Sequence, residues 1–516
     1  MIGRLQRNIG TLAWSVVVLV GAVVLVLVLA LQLFPRLDAG QAVLDNARPA
    51  YTDDRVTGAR AGINIISTSV DLLDPVMTAQ GGAVAEVSAL VTLVSSKLGV
   101  PPDQVVATLK QKFPHTAGLL LAIPLESVTS ELPNLESFLE QTLGFGADQL
   151  TAALKSDFPH LNQSITALPT VTSGWENVPG TEKLSRFDGT QVHTVPDLRA
   201  YFSKDAIPAV LETQKANFQR LDTYTPKVSL IPVILTVIGV VAVIYGLLMI
   251  LLFRGGLVRG VRASLAWAVV ALVGVIVLAL VFPLGLYPRL SGGQDLLDSL
   301  RPAFTDDRIA GVRAGADMVS SVVDLADPIV LAQGGAASEV PKLISLVSQK
   351  TGLPAEKVVG TLEQKFPHTA ALLEAIPLEA VSAELPNVVS FLSQTLGLSA
   401  AQLTQTLTTS APHLAQSLMA LPIVTGSWAS VPGTDTMTRF SGAPVHSVPA
   451  VRDYFSKDVV PVLESQKDNF QKLDTIAPKL TFFPPLLTLV GVIVLVYGLL
   501  MVVAFRRADS RGAPHT

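Results

Sequence analysis

In a chain without cysteine, the side chains best suited to chemistry are its seven histidines. Four of them, His115, His160, His368 and His413, each follow a proline, and His193 and His446 form a further matched pair. One reading makes a metal site from His115, His160 and nearby carboxylates. No two histidines stand at the i, i+4 or short-loop spacing that zinc sites use, however. The plainer reading, which the spacing favours, is a helix that starts with proline at its first position and histidine in its first turn. His368 stands to the second half of the chain as His115 does to the first.

Two identical tetrapeptides come next, Thr52-Asp53-Asp54-Arg55 and Thr305-Asp306-Asp307-Arg308, each followed by a further arginine, Arg60 or Arg313. The paired aspartates suit a cation or a basic partner. They equally suit a helix start, with threonine as the N-cap and carboxylates against the positive end of the helix dipole. Trp175 and Trp428 sit in matching Gly/Ser-rich contexts just before Val-Pro-Gly. Such tryptophans anchor partners, dip into lipid headgroups or, more often, fill a domain core. These twelve residues, Asp53, Asp54, Arg55, Arg60, His115, Trp175 and their counterparts Asp306, Asp307, Arg308, Arg313, His368 and Trp428, are the candidate interaction positions. None is assigned a catalytic, cofactor-binding or metal-binding role. No GxSxG, HExxH or phosphate-cradling loop with lysine is present. The expectation is a protein that is not an enzyme and takes no cofactor.

The elements that carry these residues follow from hydropathy. Only 15% of the 516 residues are charged, well below the usual quarter, and mean hydropathy is +0.49. Four uncharged apolar runs lie at 12–34, 231–253, 265–287 and 482–505. Each is long enough, at about 1.5 Å per residue, to cross a hydrocarbon core of about 30 Å. The first is longer than a signal-peptide core and lacks a clear small-x-small site, so it reads as a retained anchor. The short segments 1–11, 254–264 and 506–516 hold Arg4, Arg7, Arg254, Arg259, Arg262, Arg506, Arg507 and Arg511 against one acid, Asp509. Positive segments stay inside. That places both termini in the cytoplasm and the long stretches 35–230 and 288–481 outside it, in a multi-pass plasma-membrane protein. A net charge of −4 argues against nucleic acid as a partner.

The chain also overlays on itself at a shift of 253. Leu12-Ala13-Trp14 matches Leu265-Ala266-Trp267, and Lys112-Phe113-Pro114-His115-Thr116 matches Lys365 through Thr369. One residue drops out near Pro208, after which Tyr245 pairs with Tyr497. The expected architecture is therefore all-α: two tandem repeats of span, helical extracytoplasmic domain and span, related as an internal pseudo-two-fold dimer with parallel repeats. Glycines seven apart, Gly239/Gly246 and Gly491/Gly498, suit close packing of the spans.

Within each long stretch a shorter repeat of 45 residues recurs. Leu98 through Pro124 echoes Leu143 through Pro169, with counterparts in the second half. Trios such as Val105/Leu109/Phe113 and Leu150/Leu154/Phe158 share one helix face. Each sub-repeat reads as a helical hairpin, and the two in each domain are expected to pack on each other. Arg186-Phe187-Asp188-Gly189 and Arg439-Phe440-Ser441-Gly442 suggest a small β-hairpin in each domain. The leading expectation for function is a cell-envelope scaffold or partner-binding protein in contact with membrane lipid and with other membrane or envelope proteins. The alternative is a component that handles or exports lipid or another hydrophobic substrate, with a groove lined by Leu120, Ile123, Ile165 and Leu168.

Overall fold

The computed structural model describes residues 2–222, 227, 229–255, 257, 261–283, 285–474 and 479–510. The chain is almost entirely helical, and among the described residues there is no β-strand. It divides into two compact units, each assembled from both halves of the chain.

The first unit comprises Met1–Tyr51, Ala209–Thr305 and Val462–Thr516. Its four long helices contain stretches apolar enough to cross a membrane: Gly10–Ala30, Leu230–Arg254, Arg262–Val281 and Leu480–Arg507. The first and third end before their apolar runs do. Gln32 takes a left-handed conformation (φ 50°), as does Gly285 (φ 58°), and a new helix starts at Leu33 or Leu286. Pro35 and Pro288 fall in the first turns of these new helices, where their missing N–H costs nothing.

Within this unit Ile2–Ala30 packs along Leu230–Arg254, and Val261–Val281 along Phe483–Ser510. Small residues set the approach. A Cβ placed on Gly21 would lie 2.9 Å from the Gly239 carbonyl oxygen, and one on Gly274 2.9 Å from that of Gly491. Gly246 and Gly498 face Val18 and Ala271 in the same way. The two helix pairs meet through a stack of Trp14 on Trp267, centroids 4.0 Å apart and planes inclined by 20°. Tyr245 and Tyr497 pack edge-on against these indoles.

The second unit joins Thr52–Pro208 to Asp306–Pro461. The apolar trios do lie on short helices, Pro102–Lys112 and Ala147–Asp157, each followed by a helix that opens at the Pro-His pair, Pro114–Ala122 or Pro159–Gly174. Their partners differ from the expectation. Pro114–Ala122 packs chiefly on Pro367–Ala375 of the other half, and Pro159–Gly174 on Asp306–Val330. Reciprocally, Asp53–Met77 packs on Pro412–Ser427. Small side chains explain the first pairing, because a Cβ on Gly118 would fall 2.7 Å from the carbonyl oxygen of Ala371. The backbones approach too closely there for two larger faces. The expected β-hairpins shrink to single bridges, Ser185 with Gln191 and Thr438 with Pro444, around Gly189 (φ 90°) and Gly442 (φ 87°).

Candidate functional site

All twelve candidate positions belong to the second unit, and most of those with assigned contacts are engaged in joining its two halves. Arg55 lies in the first turns of Asp53–Met77 and reaches into the loop of the other half. Its guanidinium donates to the carbonyl oxygens of Thr438 (2.7 Å) and Arg439 (2.8 Å) and lies over the Phe440 ring, 5.2 Å from its centroid. Arg308 repeats the arrangement, donating to the carbonyls of Ser185 (3.2 Å) and Arg186 (3.1 Å) over Phe187 at 4.7 Å. A planar fork with a delocalised charge suits two neighbouring carbonyls and a ring face together; a lysine does not. The receiving loops are braced by Arg186 on Asp205 and Arg439 on Asp458. The Arg-Phe-x-Gly turns thus serve as sockets for the arginines of the tetrapeptides.

The aspartates of the tetrapeptides open the helices Asp53–Met77 and Asp306–Val330 as first-turn acids. Asp54 is exposed, and Asp307 makes a solvent-facing ion pair with Lys183 at 3.4 Å. Arg60 donates to the Ser203 carbonyl within its own half at 2.9 Å. Arg313 occupies the corresponding place on the second long helix. Trp175 and Trp428 are core residues, fully buried, whose indole N–H groups donate to Asp74 and Asp327 at 2.8 Å.

The Pro-His helix starts are built to a common plan that the sequence did not reveal. At each one a glutamate from the opposite half accepts from the exposed backbone N–H groups of the first turn. Glu384 takes His115 N (3.3 Å), Thr116 N (2.8 Å) and the Thr116 hydroxyl (2.8 Å). Glu131 does the same for His368 and Thr369. Glu339 receives His160 and Leu161, and Glu86 receives His413 and Leu414. A helix N-terminus offers unpaired donors and a positive dipole end, so a carboxylate is its natural partner.

The imidazoles complete the joint. His115 Nδ1 donates to the Glu374 carbonyl at 2.7 Å, and His368 Nδ1 to that of Leu121 at 2.9 Å. His160 and His413 instead meet the carboxylates of Glu339 and Glu86, each at 2.7 Å. No cluster of three or more metal-ligating side chains occurs among the described residues.

At one charged cluster the two halves differ and meet. Lys110 reaches Glu363 at 2.8 Å and Glu374 at 4.0 Å. Burial pushes the Glu374 carboxyl above the ordinary range, while the hydrogen bond from Lys110 holds that of Glu363 below it. Burial also raises the Tyr201 phenol to about 12. The matching recurrence of Glu86 with Glu339, and of Glu131 with Glu384, was the available signal for the helix-capping glutamates. Their targets lie in the other half of the chain, which periodicity along one segment does not reach. No protein family, curated protein or solved structure was found to match this chain.

Proposed function

We propose that the chain is a multi-pass plasma-membrane protein with cytoplasmic termini, built from a duplicated unit of span, extracytoplasmic segment and span. In this reading it acts without catalysis, as an envelope scaffold that binds partner proteins. The arginine-rich short segments support the orientation, and the repeat at a shift of 253 supports the duplication.

The observation that carries the scaffold reading is the interlock of the second unit. Arg55, Arg308, the Pro-His helix starts and both core tryptophans, the residues with the most chemical character, are engaged in holding one helical body together. Such a body offers a rigid, charge-mixed outer surface for a partner. The lipid-handling alternative needs a groove between the hairpins, and the packing there counts against one. Ile123 and Leu168 are buried, Leu120 and Ile165 are half-buried, and the voids beside Leu168 and Leu120 measure about 30 and 40 Å³, room for a few waters and not for a lipid chain.

Quantitative mass spectrometry of the tagged protein, extracted mildly from its own membrane, tests this reading. One or a few proteins recovered in near-stoichiometric amounts support it. Enrichment of a lipid class with no protein partner overturns it.

A further inference from the structure

The two helix pairs of the membrane unit leave a cavity between them at mid-span, of about 340 Å³. Val20, Gly21, Ala242, Val273, Val277 and Val494 are among its walls, and among the described residues no charged one lines it. At one end stand Tyr245 and Tyr497, whose hydroxyls are already engaged with the carbonyls of Ala266 (3.4 Å) and Ala13 (3.2 Å). The stacked indoles of Trp14 and Trp267, against which the two tyrosines pack edge-on, adjoin that end, fully buried, and neither indole N–H has an acceptor among the described residues.

Elementary energetics select the occupant. Water finds no partners on a valine wall, and an apolar cavity of about 150 Å³ already stays dry and admits small hydrocarbons. Emptiness forfeits dispersion contacts along the whole lining. The lining runs from Val16 to Val24 on the first helix, about 12 Å of axial rise. The space is therefore elongated along the helices, the direction in which lipid chains lie.

We propose that this cavity is a binding site for one hydrocarbon chain of a membrane lipid, held between the two halves of the membrane unit. The shared chemistry is a flexible hydrocarbon chain, supplied by a phospholipid acyl group or by an isoprenoid lipid. This inference does not depend on the scaffold reading.

Native mass spectrometry of the full-length protein after extensive detergent exchange tests it. Wild type is expected to retain a single lipid adduct, whose mass after extraction distinguishes phospholipid from isoprenoid. The cavity-filling double variant Val20→Phe/Val273→Phe should lose at least tenfold of that adduct. The control Val23→Phe/Val275→Phe, at positions 48% and 47% exposed on the outer face, should keep it. Absence of an adduct in wild type, or equal retention by both variants, overturns the proposal. Should the filling variant fail to fold, wild type is photolabelled with a diazirine-bearing fatty acid in vesicles of its native lipids. Label on Val20 and Val273 supports the site; label confined to outer-face positions such as Val23 and Val275 overturns it.

Discussion

Lys110 and Glu363 stand 253 positions apart in the sequence, the repeat shift itself, and their side chains meet at 2.8 Å. Two positions that correspond in the repeat are therefore each other's partners, as are Trp14 and Trp267 in the membrane unit. In a symmetric pair of identical units such a position faces its own copy, so a lysine there would meet a lysine. In the duplication proposed above, fusion into one chain would let the two copies differ, and these two positions have opposite charges.

The pairing predicts a charge-reversal cycle. Lys110→Glu would place three carboxylates together, at positions 110, 363 and 374, and should lower the thermal midpoint of the purified protein. Adding Glu363→Lys should restore most of the loss. The pair is about one-third exposed on each side, so its coupling should be about 0.2–1 kcal/mol and should shrink in high salt. A double variant no more stable than Lys110→Glu would show that the contact carries no coupling.

Glu374 predicts a dependence on pH. Its folded-state carboxyl is raised by burial, so the folded state favours the protonated form. The stability tied to that proton is complete below the ordinary glutamate value and is lost as pH rises through the raised one. Glu374→Leu, which installs the residue found at Leu121 in the other half, should therefore raise the thermal midpoint at pH 7, by roughly 1–2 °C. At pH 4 the gain should largely vanish. Glu363 runs the other way: its carboxyl is lowered, and the stability it contributes is lost as pH falls. A Glu374→Leu gain that is the same at both pH values would rule out the titration argument.

The helix-capping glutamates predict a larger effect. Glu131→Ala with Glu384→Ala leaves two helix starts without their acceptors, at about 0.5–2 kcal/mol for each cap. The Gln pair at the same positions still accepts hydrogen bonds without the charge and should recover part of the loss. Chemical denaturation in mild detergent measures both. If alanine and glutamine variants unfold together with wild type, the carboxylates do not hold the halves.

Much of this was legible in the sequence, because the signals were local. An uncharged apolar run forces a helix that can span a membrane, and Pro-His forces a helix start at Pro114 or Pro367. Each Pro-His pair opens a helix, and Trp175 and Trp428 are buried. The hairpin partners were not legible. An apolar stripe on Pro114–Ala122 says that a face must be buried, not whether Pro159–Gly174 or Pro367–Ala375 will bury it. Two matching halves carry matching stripes, so composition scores both choices alike, and only backbone approach at Gly118 and Ala371 separates them. The arginine sockets escaped because their acceptors are backbone carbonyls, which leave no mark in a sequence.

The glycines of the membrane unit give the last test. A Cβ on Gly274 would lie 2.5 Å from the backbone nitrogen of Leu495, and one on Gly498 2.6 Å from that of Ala271. Backbone atoms cannot rotate away as a side chain does, so the helices Val261–Val281 and Phe483–Ser510 must separate. In lipid, helix association rests on such packing rather than on a hydrophobic force. Gly274→Leu should therefore lower the detergent-solubilised midpoint by several degrees. Gly99→Ala would be a poor control, since Gly99 has a positive φ (67°) that strains any side chain. Gly360→Leu is the better one, with open space around its Cβ and ordinary helical geometry. A lowered midpoint for Gly274→Leu and an unchanged one for Gly360→Leu are the expected results. Equal midpoints for the two variants would mean that the pair does not depend on the close approach at Gly274.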